Sequence, residues 1–241
     1  MILHSLQGET MASYFFEGIL ERLLDVTDSA CMKLLEDATL YCVPNMNPDG
    51  SARGHLRTNA GGQNLNREWA APTAEGCPEV LCVRNKMEEV GVDYCLDVHG
   101  DEGTPYNYVV CCPAWTDRLA GLQDIFWGDW RTSTPDFSPA ASSRVEELGE
   151  GEALAAAIRG DIDGVAGGSD ITGLVGGAAN LTMCPTWLAW KFDCLAMTLE
   201  LPFKDNAEFP QPGTAWSGDR SVSLGKSVIE PMLRSLPHLR D

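Results

Sequence analysis

Patterns typical of helices and of strands alternate along most of this chain, and that alternation limits the folds open to it. A helix is predicted from the N-cap candidate Thr10, and another from Pro78 to Val90, which Gly91 ends. Short strands are predicted over residues 39–43, 94–99, 106–111 and 195–199, and further helices over 116–130, 185–192 and 217–236. We therefore expect an α/β fold: a single domain over 1–241 with a mainly parallel or mixed sheet flanked by helices.

Two segments lack a regular pattern. Residues 44–76 are rich in Asn, Gly and Arg and are predicted to be loops, and loops of that length usually carry function. Residues 133–177 are rich in glycine, and we interpret them as a surface insert within the domain.

The charge balance argues against two classes of partner. With 17 Lys+Arg against 35 Asp+Glu, the formal charge is −18, so the basic surface that binds nucleic acid or an anionic membrane is not expected. The first residues do not resemble a secretory signal, and no stretch is apolar enough to span a bilayer. Nine cysteines without a CxxC pair indicate reduced thiols, so we expect a cytoplasmic protein.

Few residues are available for a metal site. The chain has four histidines, and a catalytic zinc needs three nitrogen or oxygen ligands plus an open position. Glu9 and His99 are the first candidates because each lies beside a glycine at an element boundary. His99 and Glu200 both lie at predicted strand ends, where active groups of α/β sheets collect. A single histidine at a strand end is also commonly structural, so spacing alone leaves both interpretations open.

The loop over residues 57–69 is a candidate for anion binding. It places two arginines and three asparagines beside glycines, a composition suited to gripping a carboxylate or carbonyl. The same composition is typical of a solvated turn region, and the loop taken alone does not separate the two interpretations.

Four motifs follow one another along the chain. They are Asn47-Pro48-Asp49-Gly50; Arg57 with Asn66-Arg67; Leu96-Asp97-Val98-His99-Gly100-Asp101-Glu102 with Pro105-Tyr106-Asn107; and Thr198-Leu199-Glu200-Leu201-Pro202-Phe203-Lys204-Asp205. In this order they resemble the zinc metallocarboxypeptidases, particularly the cytosolic carboxypeptidase branch. The similarity runs from about residue 7 to residue 204.

The resemblance implies a function and a role for each matched residue. It implies Zn²⁺ as cofactor, with Glu9 and His99 as ligands, and a reaction that hydrolyses the C-terminal peptide bond of a peptide or protein tail. Glu200 resembles the general base, and Arg57 resembles the arginine that polarises the scissile carbonyl. Asn66 and Arg67 resemble the pair that binds the terminal carboxylate.

The sequence departs from the family pattern at one ligand. The family's first histidine falls on Leu6, which cannot bind zinc, and His4 is the nearby substitute. The resemblance also implies a fold that lacks the family's first strands, and the phenol that caps the substrate has no assigned counterpart. Two alternatives therefore remain: a non-catalytic protein that binds C-terminal carboxylates, and a zinc deacylase acting on N-acyl amino acids.

Overall fold

A computed structural model describes residues 2–5, 8–112, 116–137, 174–175, 178–179 and 181–240. The strands in chain order are β1 Ile2–Ser5, β2 Tyr41–Val43, β3 Tyr94–Asp101, β4 Tyr108–Cys111, β5 Leu174–Val175, β6 Ala178–Ala179 and β7 Leu195–Pro202. Five of them form one mixed sheet in the order β2-β1-β3-β7-β4, in which β4 alone runs antiparallel to its neighbour. Strands β5 and β6 form a separate antiparallel pair.

Helices pack on both faces of this sheet. In chain order they are α1 Thr10–Leu23, α2 Ser29–Asp37, α3 Pro48–Arg53, α4 Pro78–Val90, α5 Asp117–Ser133, α6 Cys184–Phe192, α7 Gly218–Ser227 and α8 Ile229–Ser235, with 3₁₀ turns at Leu65–Arg67 and Leu236–His238. The α/β fold with a mixed sheet predicted from the sequence is therefore confirmed.

The core is divided by the sheet into two clusters. Leu96 and Val98 of β3 pack with α1, α5 and α7, whereas Cys95 of the same strand packs with residues of α4 and α6. Successive side chains of a strand point to opposite faces, so this division follows from the alternation along β3. The side chains of His99 and Glu200 emerge on the α4/α6 face, at the end of the sheet.

Helix α1 is held against α7 by two close backbone approaches. A Cβ added at Gly18 would lie 2.0 Å from the Val222 carbonyl oxygen, and one at Gly225 would lie 2.0 Å from the Phe15 carbonyl oxygen. Only glycine fits at these two positions, because any larger residue would push the helices apart. Arg22, in the last turn of α1, adds ion pairs with Asp28 and Glu230.

Several details differ from the sequence predictions. Thr10 is the first residue of α1 and Glu9 occupies the N-cap position, without a side-chain capping bond. The helix predicted over 217–236 is two helices. Pro231 has no backbone N–H, so the helical hydrogen bonding is interrupted at Val228. The loop region 44–76 contains α3 and a 3₁₀ turn, and strand β1 and helix α2 had no prediction.

The remaining expectations concern the glycine-rich insert, the cysteines and the lack of a membrane span. Of the glycine-rich insert over 133–177, residues 138–173 lie outside the described residues, so the structure does not test that interpretation. All nine cysteines are described and none forms a disulfide. Among the described helices, none combines the length and apolar character needed to cross a bilayer.

Candidate metal centre

Three acidic or imidazole side chains meet at the carboxyl end of the sheet. His99 on β3 and Glu200 on β7 are direct neighbours in the register of two parallel strands, so their side chains share one face. Glu9 lies at the start of α1 and reaches His99, with its Oε2 atom 3.1 Å from His99 Nδ1. All three are buried, with exposed fractions of 6% for Glu9, 5% for His99 and 9% for Glu200.

The Glu9 carboxylate is fixed in place by the residue that follows His99. The backbone N–H of Gly100 donates to Glu9 Oε2 over 2.9 Å. A Cβ at Gly100 would lie 2.4 Å from Met11 Sδ, so glycine is required for α1 to approach β3 this closely. The His99-Gly100 pair therefore both supplies the imidazole and positions the carboxylate beside it.

Asp97 orients the imidazole from behind. Its Oδ1 atom lies 2.8 Å from His99 Nε2, and its side chain is fully buried. When a metal occupies Nδ1, a carboxylate beside Nε2 would keep the proton on Nε2 and orient the ring, an arrangement common behind metal-binding histidines. The sequence motifs include Asp97 but assign it no role; the alternation along β3, which puts residues 97 and 99 on one face, was the available signal.

The site carries an excess of negative charge. Burial by itself would lower the pKa of His99, but the Asp97 and Glu9 carboxylates outweigh it and raise that pKa well above its ordinary value. Burial raises the pKa of Glu200 to about 8, and the carboxylates of Glu9, Asp101 and Asp97 add to this while His99 partly offsets it. A cation at this place would relieve the repulsion among the carboxylates.

Glu9 and His99 fit two positions of a zinc site. Bond lengths of about 2.1 Å and tetrahedral angles place two zinc ligands roughly 3.3 Å apart, close to the separation of Glu9 Oε2 and His99 Nδ1. Within the described residues, no three His, Cys, Asp or Glu side chains form a complete ligand set. The donor chemistry thus fits zinc, and a third protein ligand is not among the residues brought together here.

Two residues are considered for that third position, His4 and Leu6. His4 is on β1, opposite Asp97 in the strand register and therefore two residues before the level of His99. Leu6, where the family has histidine, lies outside the described residues. The assignment of His4 as a ligand stays a prediction.

Arg57 is carried by a loop that rests on the turn before Glu9. Gly8 has φ of +84°, and a Cβ there would lie 2.3 Å from the Leu56 carbonyl oxygen. This contact brings the backbone next to Arg57 directly against the backbone next to Glu9. Arg57 itself is half-buried.

Asn66 is bonded to α6, on the same face of the sheet as His99, and Arg67 follows it in the chain. The Asn66 side-chain oxygen accepts the backbone N–H of Cys184, the first residue of α6, over 2.9 Å. Arg67 Nη1 donates to the Asn66 carbonyl oxygen over 2.7 Å. Because its oxygen is held by Cys184, Asn66 has only its amide donors to offer a ligand.

Tyr108 is a neighbour of Glu200 that the sequence analysis did not identify. It pairs with Glu200 across β4 and β7, and its hydroxyl donates to Asp101 Oδ2 over 2.6 Å. Burial, then the nearby Glu200 and Asp101 carboxylates, raise the pKa of Tyr108 far above its usual range, so it stays a neutral phenol. The antiparallel pairing of β4 brings it there, and no local sequence signal predicts that pairing.

The fold and this carboxylate–imidazole centre define a class of protein. Residues 4–99 match the sequence model of the zinc carboxypeptidase family. The resemblance to zinc carboxypeptidases stated from the motifs is therefore confirmed.

Individual relatives extend the similarity over the rest of the chain. An uncharacterized protein of Zymomonas mobilis is 40% identical over 237 residues, which are 95% of this chain and 55% of that protein. The solved metallo-carboxypeptidase from Pseudomonas aeruginosa, in complex with (2-guanidinoethylmercapto)succinic acid, is 38% identical with a TM-score of 0.80, covering 99% of this chain and 58% of that one. Cytosolic carboxypeptidase 3 of Bos taurus is 36% identical over 120 residues, 48% of this chain and 12% of that protein.

The chain spans a little over half the length of the two bacterial relatives. The activity of the whole protein is therefore a proposal.

Proposed function

We propose that this chain acts as a zinc-dependent metallocarboxypeptidase that hydrolyses the C-terminal peptide bond of peptides or protein tails. One observation carries the proposal: buried Glu9 and His99 lie at ligand–ligand distance, with Asp97 behind the imidazole and Glu200 beside it in the strand register. Such a combination of two zinc-type donors, an orienting carboxylate and a second free carboxylate suits metal-assisted hydrolysis.

Zinc, when bound by Glu9 and His99, supplies Lewis acidity toward the scissile carbonyl and lowers the pKa of a water molecule. Glu200 takes a proton from the attacking water and delivers it to the departing amine. Burial raises the pKa of Glu200 to about 8 in the metal-free site, and a bound cation would lower that pKa toward the range in which a carboxylate can accept and return a proton near neutral pH. Arg57 donates to the carbonyl oxygen as negative charge develops there.

Recognition of the chain end is assigned to Asn66 and Arg67. The forked guanidinium of Arg67 pairs with the terminal carboxylate, and Asn66 adds amide donors from the orientation that Cys184 imposes. The Pseudomonas aeruginosa protein is in complex with a compound that carries a succinic acid group, which supports recognition of carboxylates at this kind of site. The nine cysteines, none of which forms a disulfide, support a reducing, cytoplasmic setting.

The test combines metal content with turnover. The purified chain is loaded with zinc and assayed on N-blocked dipeptides and, separately, on N-acyl amino acids, because cleavage of only the latter indicates a deacylase. Glu200→Gln should abolish cleavage while leaving the zinc content unchanged, since Glu200 is not a ligand. Cleavage retained by this variant would refute the general-base role.

A second candidate, a non-catalytic module that binds C-terminal carboxylates, has one observation in its favour. The described residues contain no complete set of three metal ligands, and leucine stands at position 6. A folded protein that binds no zinc but binds peptides with a free C-terminus, and not their amidated forms, would establish this function instead. In that case Leu6→His should raise zinc affinity by a large factor, because it supplies the missing imidazole.

A further inference from the structure

We propose that Phe203 selects substrates with an aromatic or large aliphatic residue immediately before the scissile bond. The proposal rests on the proposed carboxypeptidase function and names a part of the substrate class. Phe203 follows β7 three residues after Glu200, and neither the catalytic nor the carboxylate-binding assignments use it.

The first observation is where the ring lies. Phe203 Cε2 is 3.0 Å from the position that a Cβ at Gly100 would occupy, so the ring packs directly on the residue after His99. Gly100 is also the residue whose N–H holds the Glu9 carboxylate. The aromatic ring therefore packs on the α1 side of the backbone residue that follows His99 and binds Glu9.

The second observation is that the ring is exposed although its backbone is fixed. Phe203 has an exposed fraction of 41%. Its backbone N–H donates to the Asp101 carbonyl oxygen over 3.3 Å, which extends the pairing of β3 and β7 past the ends of the strands. An aromatic surface held in this way loses little conformational freedom when an apolar ligand covers it.

The two faces of the sheet fix which substrate residue reaches this ring. Asn66, which precedes Arg67, is bonded to α6, whereas the Leu201 side chain and a Cβ built at Gly100 face α1. A peptide whose terminal carboxylate lies on the α6 side and whose scissile bond lies over His99 and Glu200 continues toward Phe203. The side chain before the scissile bond is therefore the one that meets the ring.

The charge of the whole chain favours the same class of substrate. With a formal charge of −18, approach of an acidic tail is opposed at long range, whereas an apolar residue meets no such barrier. An apolar contact beside a buried, negatively charged centre thus gives selectivity that charge attraction does not supply.

The experiment uses pairs of N-acetyl dipeptides that differ only before the scissile bond, Phe in one and Gly in the other. The C-terminal residue is the same in both members of a pair and is Ala, Lys or Glu in turn. The preference of the protein for the C-terminal residue therefore cancels within each pair. We expect the zinc-loaded wild-type chain to favour the Phe member by about tenfold in kcat/KM. Phe203→Ala should bring the ratio close to one by slowing the Phe member, and Phe203→Leu should retain part of the preference.

Leu24→Ala is the matched control. Leu24 is also an exposed apolar residue, with an exposed fraction of 77%, but it lies at the far end of the helix that begins beside Glu9. Its removal should leave the ratio unchanged, and thermal unfolding of each variant shows that the fold is retained.

The outcomes separate the two proposals. A wild-type chain that cleaves both peptides equally, or a ratio that Phe203→Ala does not change, overturns the role of Phe203 and leaves the carboxypeptidase function intact. If no dipeptide is cleaved, the proposed function fails. The affinities of the same two peptides, measured by calorimetry, then decide the role of Phe203. Tighter binding of the Phe peptide by wild type that is lost in Phe203→Ala supports that role, and equal affinities overturn it.

Discussion

At the scale of single residues, we expect Asp97 to control the candidate metal site through His99 rather than by binding the metal itself. It is fully buried and lies 2.8 Å from the His99 nitrogen that faces away from Glu9. Asp97→Asn keeps the shape but removes the charge and alters the imidazole tautomer, so we expect zinc affinity to fall by about 10- to 100-fold. Competition with a chromogenic chelator measures the change.

Asp93→Asn is the control for that substitution. Asp93 lies just before the same strand, pairs with Arg240 and is remote from the carboxyl end of the sheet. An equal loss of zinc affinity in both variants would mean that Asp97 acts only through general stability.

The raised pKa of Glu200 predicts how the stability of the metal-free chain depends on pH. The folded state raises this pKa from an ordinary 4.5 to about 8, so folding favours the protonated carboxyl group. The stability that this group contributes is complete below about pH 4.5 and is lost as the pH rises through about 8. In the presence of a chelator, the unfolding temperature of wild type should therefore fall more between about pH 5 and about pH 8 than that of Glu200→Gln. Parallel curves for the two proteins would show that folding does not raise the pKa of the Glu200 carboxyl group.

At the scale of elements, the glycine contact between α1 and α7 connects helix packing to the metal centre. A Cβ at Gly18 would overlap the Val222 carbonyl oxygen, whereas one at Gly121, on the exposed side of α5, meets nothing within 4 Å. We expect Gly18→Ala to destabilise the fold by about 1–3 kcal/mol and Gly121→Ala to stabilise it by up to about 1 kcal/mol. Denaturant unfolding gives both values.

The same pair of variants also reports on the site. Because Glu9 is the N-cap residue of α1, a displaced α1 moves the carboxylate, and zinc affinity should fall in Gly18→Ala alone. Unchanged affinity in that variant would show that the start of α1 is held independently of its packing on α7.

The sequence predicts elements well where local signals agree. Helix α4 has the predicted bounds because Pro78 stands at its first position and Gly91 follows its last residue. Helix α2 was missed, although its N-cap Asp28 accepts two backbone N–H groups, because its exposed residues Met32 and Leu35 blur the apolar pattern. The nearness of Tyr108 to Glu200 depends on β4 joining the sheet antiparallel, a long-range pairing that periodicity does not encode. The proximity of Glu9 to His99 was expected only from the family motifs, since 91 residues separate Glu9 from Gly100, which binds it.

At the scale of the whole molecule, the excess of acidic residues predicts a dependence on salt. A chain of formal charge −18 repels an acidic peptide, and added salt screens that repulsion. We expect kcat/KM for a peptide with an acidic tail to rise as NaCl increases to about 0.5 M, while kcat/KM for an uncharged N-blocked peptide stays nearly constant. A decrease for the acidic peptide would indicate that Arg57, Arg67 and Lys204 dominate the local field.

The contact between α1 and the C-terminal helices also bears on how the chain reaches this state during synthesis. Arg22 donates to the Lys226 carbonyl oxygen, 204 residues later, and Gly18 packs against Val222 in the same region. The apolar side of α1 therefore stays uncovered by α7 until nearly all of these residues have been synthesised. We therefore expect the first helix to dock only after the C-terminal helices have been synthesised, so that the Glu9 carboxylate reaches its place beside His99 late in folding.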